Sequence, residues 1–243
     1  MARGQRQLAL RFRRRGGARA GAGRPPRGER AGVAHLRRAA HARQHPLHVT
    51  LRVQHGLRSL REPALFARVR RAMAAGRSRF GFALVHFSVQ RDHLHLIAEA
   101  EDQRALARGV QGLTIRVARA VNAQLRRKGR VFADRYHARA LKSPRAVRWA
   151  VRYVLMNVRK HTARTETKLA VGFVDPCSSS AWFAGFARPE GLAFGAHAVR
   201  SEWAAANGPA PPVEAARCWL LRVGYQRAGP IDVDDVPGTA CCG

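Results

Sequence analysis

The chain has 243 residues, with 45 Lys and Arg against 15 Asp and Glu, a formal net charge of +30. Hydrophobic residues make up 46% of it, which excludes wholesale disorder, and no apolar run reaches the ~18–20 residues of a membrane span. A charge of that size selects a polyanionic partner, nucleic acid before an anionic membrane surface. It is unevenly placed: residues 1–43 are net +12, residues 44–162 net +19 and residues 163–243 net −1.

Residues 1–43 are Arg-, Gly- and Ala-rich, with Pro25-Pro26 at their centre. They read as a disordered basic arm, or as upstream sequence translated from an early start. They contain no continuous apolar segment of a secretory signal; their Arg-rich, acid-poor composition also resembles an organelle transit peptide. Cys177, Cys218, Cys241 and Cys242 form no CxxC pair, so neither a zinc ribbon nor a disulfide framework is expected, and a reduced, cytoplasmic (nucleoid-associated) setting is.

From Pro46 to Val53 apolar residues alternate at Leu47, Val49, Leu51 and Val53, a strand signal ended by Gly56. A helix is predicted over 61–74, with Pro63 in its first turn and Leu65, Phe66, Val69 and Met73 on one face. Phe80–Val89 and His93–Ala98 read as two strands of a hairpin. Asp102 can N-cap a long helix to about Leu125. An irregular fourth strand is expected over 131–141. Ser143-Pro144 opens a last helix to about 161.

The order β-α-β-β-α-β plus a helix predicts an α+β, ferredoxin-like split βαβ fold, an antiparallel four-stranded sheet with two packed helices. The C-terminal helix would carry catalysis. Residues 163–243, with three consecutive serines at 178–180 and scattered aromatics, read as a loosely built, irregular C-terminal extension that wraps the core or forms an appendage. The expected domains are therefore 1–43, 44–162 and 163–243.

His93 and His95 lie two apart on a strand, so both imidazoles leave one face while Leu94 and Leu96 enter the core. Such a pair is half of a divalent-metal site, or simply two hydrogen-bonded strand histidines. On the last helix, Val147, Val151, Val154, Leu155 and Val158 form an apolar stripe. Tyr153 and Asn157 lie off it, one turn apart. A phenol and an amide oxygen are thus presented together: a candidate nucleophile and an oxygen ligand suited to Mg²⁺ or Mn²⁺. Tyr136 and Tyr225 have no such partner. His48, His55, His86 and His137 read as structural or phosphate-contacting residues.

The stretches His48-Val-Thr-Leu-Arg52, Val89-Gln-Arg-Asp-His-Leu-His-Leu-Ile97, Gly129-Arg-Val-Phe-Ala-Asp-Arg-Tyr136 and Arg152-Tyr-Val-Leu-Met-Asn157 resemble the single-tyrosine HUH transposases, in detail the REP-associated tyrosine transposases. The resemblance covers 47–161. It implies His93, His95 and Asn157 as metal ligands, Tyr153 as the nucleophile, a 5′-phosphotyrosine intermediate, and single-stranded or hairpin DNA as the substrate. Asp92 and Val158 depart from the family's usual Asn and Pro. Arg130, Arg135, Lys142, Arg152, Arg159 and Lys160 are candidate DNA contacts around the helix. The competing reading is a non-catalytic single-stranded nucleic-acid-binding protein that keeps the sheet as a platform.

Overall fold

The computed structural model describes residues 41–163, 169–188, 191, 193–194 and 211–238. Nearly all of the basic arm, and Cys241 and Cys242, lie outside the described residues.

Strand β1 is Leu47–Arg52 and helix α1 is Pro63–Gly76. The hairpin region comprises a two-residue strand β2, Ser78–Arg79, then β3, Phe82–Val89, and β4, His93–Ala100. Helix α2, Gln103–Gln124, begins where the Asp102 carboxylate accepts the Ala105 N–H at 2.6 Å, the expected cap. Strand β5 is only His137–Ala140; the remainder of the expected fourth strand is irregular apart from a bridge between Val53 and Phe132. Helix α3, Pro144–Leu155, is capped by the Ser143 hydroxyl, which accepts the Ala146 N–H at 3.2 Å.

The sheet order is β2-β3-β4-β1-β5, and each neighbouring pair is antiparallel. Setting aside the two-residue edge strand, this is the four-stranded split βαβ sheet that the element order predicts. Alternation divides its faces. Leu47, Val49, Leu51, Leu94 and Leu96 join Leu65, Val69, Met73, Leu106, Val110, Leu113 and Val117 of α1 and α2 in one core cluster. Gly109 permits that approach: a Cβ there would stand 2.1 Å from the Phe82 ring.

The second face is covered by a separate cluster. Val85 and Ile97 of the sheet meet Val147, Val151, Val154 and Leu155 of α3, and Phe183, Phe186, Leu220, Tyr225, Ile231 and Val233 from beyond the helix. Part of the C-terminal extension is therefore built into the fold. The serine run, expected to be loose, is buried: Ser179 N–H donates to the Phe87 carbonyl at 2.9 Å and its hydroxyl accepts the Phe87 N–H at 3.0 Å. With Cys177, whose carbonyl accepts the Val89 N–H at 2.8 Å, it closes the free edge of β3. Asp175, fully buried, is held by both terminal nitrogens of Arg61 at 2.7 and 3.0 Å.

The last helix also departs from expectation. It breaks at Met156 (φ −104°, ψ 23°) and resumes as α4, Asn157–Ala163. The Leu155 carbonyl, which a continuous helix would use internally, accepts the Ser180 hydroxyl at 2.9 Å. Tyr153 and Asn157 thus belong to different helices, one on each side of the break.

Candidate functional site

Strand β1 lies beside β4 with Thr50 opposite His95 and Arg52 opposite His93. The even-numbered side chains of β1 and the odd-numbered ones of β4 leave the same face. Where α3 crosses that face, its Tyr153 meets them. The His93 and His95 ring centroids are 4.7 Å apart, Tyr153 is 5.1 Å from His95, and His48 is 5.3 Å from His95 and 5.8 Å from Tyr153. Two residues of α4 border the group: Lys160 places its ammonium 4.9 Å from the Tyr153 ring centroid, and His161 lies 6.3 Å from His93.

The hydrogen bonds orient the imidazoles. His93 Nδ1 lies 2.7 Å from the Asp92 carboxylate, so a proton there donates to Asp92 and leaves the Nε2 lone pair available. The same bond holds the Asp92 carboxyl below its ordinary range. His95 Nδ1 is 3.3 Å from both His48 Nε2 and Thr50 Oγ1, while its Nε2 is shielded from solvent and has no hydrogen-bond partner. Burial, reinforced by His48, His93, His161 and Lys160, pushes the His95 pKa down to about 2. Burial first, then His137 and Arg139, pushes that of His48 down to about 4. Both rings are neutral at neutral pH, the state a metal ligand requires.

Asn157 is completely buried, and neither amide atom has a hydrogen-bond partner. An unsatisfied buried amide costs about 1–3 kcal/mol, so some group is expected to meet it. Among the described residues no three His, Cys, Asp or Glu side chains cluster as a metal site. A His95 Nε2 without a hydrogen-bond partner and a buried, unpartnered Asn157 amide are donor types that suit a divalent cation keeping several waters.

Tyr153 is half-buried at the margin of the second core cluster, rather than standing clear of the core as its sequence position suggests. The candidate DNA contacts fall into three groups. Lys160 borders the tyrosine. Arg130 and Lys142 are exposed on the loops after α2 and before α3, and Arg135 is half-buried before β5. Arg152 and Arg159 serve the protein itself. Arg152 stacks 4.2 Å over Trp149 and lies 3.6 Å from Asp235. Arg159, buried, donates to the Val233 carbonyl at 2.7 Å and the Ala170 carbonyl at 3.1 Å and pairs with Asp234. Both arginines reach the same tail segment, Arg152 at Asp235 and Arg159 at Asp234 and the Val233 carbonyl.

His48, Thr50 and His161 are the members that sequence reasoning did not bring to the cluster. Period-two alternation already placed His48 and Thr50 on one face of β1. Which face of β4 they met depended on a register between strands more than 40 residues apart.

A sheet face carrying paired imidazoles beneath a helical tyrosine, in a domain of high positive charge, defines a protein that handles nucleic acid. The family model described as Transposase IS200 like matches residues 42–164, half of the chain, and the chain belongs to that family, which makes it a transposase-type DNA-binding protein. A solved structure described as a REP-associated tyrosine transposase bound to a REP hairpin is similar over 56% of this chain and 76% of its own, at 13% identity and a TM-score of 0.44. No curated protein matches the chain.

Proposed function

We propose that the protein is a metal-dependent single-strand DNA endonuclease and strand transferase that uses Tyr153 as its nucleophile and acts on hairpin-forming palindromic repeats. The observation that carries this reading is the Tyr153 ring lying 5.1 Å from the buried, neutral imidazole of His95, whose Nε2 has no hydrogen-bond partner. The hairpin substrate rests on the sequence resemblance to the REP-associated members.

His93, His95 and Asn157 would hold Mg²⁺ or Mn²⁺, which supplies charge stabilisation at the scissile phosphate. Tyr153 attacks phosphorus through its phenolic oxygen and forms an O–P bond. The P–O3′ bond breaks, the proton that the phenol gives up is returned, through solvent, to the 3′ oxygen, which leaves as a hydroxyl, and a 5′-phosphotyrosine remains. Reversal with a different 3′-hydroxyl transfers the strand. A free phenol ionises near ~10, so the Lys160 ammonium beside the ring supports the phenolate and the pentacovalent phosphate. Arg130, Arg135 and Lys142 would hold flanking phosphates; the arginines bound to the tail, Arg152 and Arg159, are left out of that role. No helix among the described residues is long and apolar enough to cross a membrane, and the intended setting is the cytoplasm beside the nucleoid.

A labelled hairpin oligonucleotide incubated with the protein and Mn²⁺ is expected to give a covalent protein–DNA band. Tyr153→Phe removes the band and keeps most of the binding. If Tyr153→Phe still forms the adduct, the nucleophile is elsewhere; if wild type binds hairpins and never forms it under any divalent metal, the protein is the non-catalytic binder.

A further inference from the structure

We propose that the cleft between residues 56–58 and 124–127 is a second phosphate site, which grips the DNA backbone outside the segment that Tyr153 would cleave. It rests on the reading of the chain as a DNA strand transferase and adds a binding surface that this reading does not contain.

The cleft is about 370 Å³, and Arg58, Arg126 and Arg127 are among its lining residues. It has no aromatic lining, so it offers no platform on which a base could stack and suits the sugar-phosphate chain instead. From Asn122 to Val131 the chain carries Arg126, Arg127, Lys128 and Arg130 and no carboxylate. Among the described residues the acidic partner at the cleft is Glu62, which pairs with Arg58 at 2.8 Å in the irregular segment before α1. Such a pair is weak and exchanges readily for a phosphate.

Two features show that these cations are held there against local preference. The α2 helix ends with Arg127 N–H donating to the Asn122 carbonyl at 2.9 Å and Arg126 N–H directed at the Ala123 carbonyl at 3.3 Å. That double closure requires a left-handed residue between, usually glycine. Here it is Arg126, at φ +47°. A bulky cation occupies a position where glycine would be more stable. The second feature is Arg127, whose Nη2 donates to the Arg130 carbonyl at 3.3 Å while its Nη1 is shielded and has no partner. A phosphate oxygen would satisfy it.

The cleft also lies at the His93 end of the sheet. Val53 N–H donates to the Asp92 carbonyl at 2.7 Å, and Gln54 N–H to the Val131 carbonyl at 2.8 Å. The loop after β1, the loop after α2 and the residue preceding His93 are thus tied together. A strand whose scissile phosphate lies at His93 and Tyr153 can continue over this edge.

The test uses the full chain carrying Tyr153→Phe, so that binding is read without cleavage. Arg126→Gly and Arg127→Gln are each compared on two probes, a hairpin stem alone and the same hairpin with single-stranded flanks. Arg126→Gly is expected to raise the melting temperature and yet weaken binding about tenfold, the loss of one charge-assisted hydrogen bond. Its salt slope should fall by about 0.7 if the lost phosphate is single-stranded and about 0.9 if it is duplex. A loss on both probes assigns the cleft to the stem, and a loss on the flanked probe alone assigns it to the flank. If Arg126→Gly and Arg127→Gln bind both probes with unchanged affinity and slope, the cations only cap α2 and the proposal is wrong. Adduct formation by the parent protein, measured in parallel, decides the catalytic reading separately from this one.

Discussion

Tyr153 presents its ring to His95 edge-on, with the planes at 78° and the centroids 5.1 Å apart. The imidazole comes from strand β4 and the phenol from helix α3, so this contact joins sheet to helix.

The metal should depend on the imidazoles and on what orients them. His93→Ala/His95→Ala is expected to abolish the Mn²⁺-induced rise in melting temperature and calorimetric Mn²⁺ binding together. His48→Ala removes a partner of His95 Nδ1 and should weaken Mn²⁺ about tenfold, with His48→Gln restoring part of it. Equal Mn²⁺ affinity in wild type and the double variant would place the site elsewhere.

Lys160 tests the environment of the phenol. Lys160→Ala should slow adduct formation by about 10²-fold, because the ammonium 4.9 Å from the phenol ring, placed to stabilise charge developing at the phosphate, is lost. Lys160→Arg should recover most of the rate. An unchanged rate of adduct formation in Lys160→Ala would show that the ammonium only covers the ring.

Arg159 and Lys142 should separate stability from binding. Arg159→Ala leaves the buried Val233 carbonyl without its guanidinium donor and removes the charged partner of Asp234, which keeps the Gly172 N–H, and is expected to cost about 2–3 kcal/mol of stability in denaturant titrations. Lys142→Ala, on the exposed turn before α3, should leave stability within about 0.5 kcal/mol and weaken DNA binding in a salt-dependent way. The reverse pattern would mean that Arg159 faces DNA and the tail does not need it.

His86 lies inside the second core cluster's territory, edge-on to Phe183 at 5.5 Å, and burial pushes its pKa down to about 4. The unfolded chain titrates near ~6.5 and therefore takes up the proton first as pH falls. The stability contributed by the neutral ring is complete above ~6.5 and is lost between there and about 4, on the order of 3 kcal/mol at most. His86→Gln should flatten the decline in unfolding free energy between pH 7 and pH 5 by about 2 kcal/mol. His48 and His95 act in the same sense, so some slope persists. Identical slopes in the two proteins would show that His86 titrates in the fold as it does in water.

Much of the sheet and of the candidate site was legible in the residues themselves. Alternation at Leu47, Val49 and Leu51, the Asp102 and Ser143 caps, and the helical spacing of Leu106, Val110, Leu113 and Val117 are local signals, and each marks its element in the structure. Parity on one strand likewise put His93 and His95 together, because side chains two apart always leave the same face.

What only the tertiary structure decided is non-local. His48 reaches His95 because β1 pairs with β4 in a register that no single strand encodes. The helix after β5 breaks at Met156 where a serine from position 180 takes the Leu155 carbonyl, a competition that the helix's own sequence does not show. Arg152 and Arg159 looked like free cations until residues 233–235 supplied their partners. Charge and periodicity are written residue by residue; which charge is neutralised, and which face is covered, depends on chain that arrives from about 75–85 positions away.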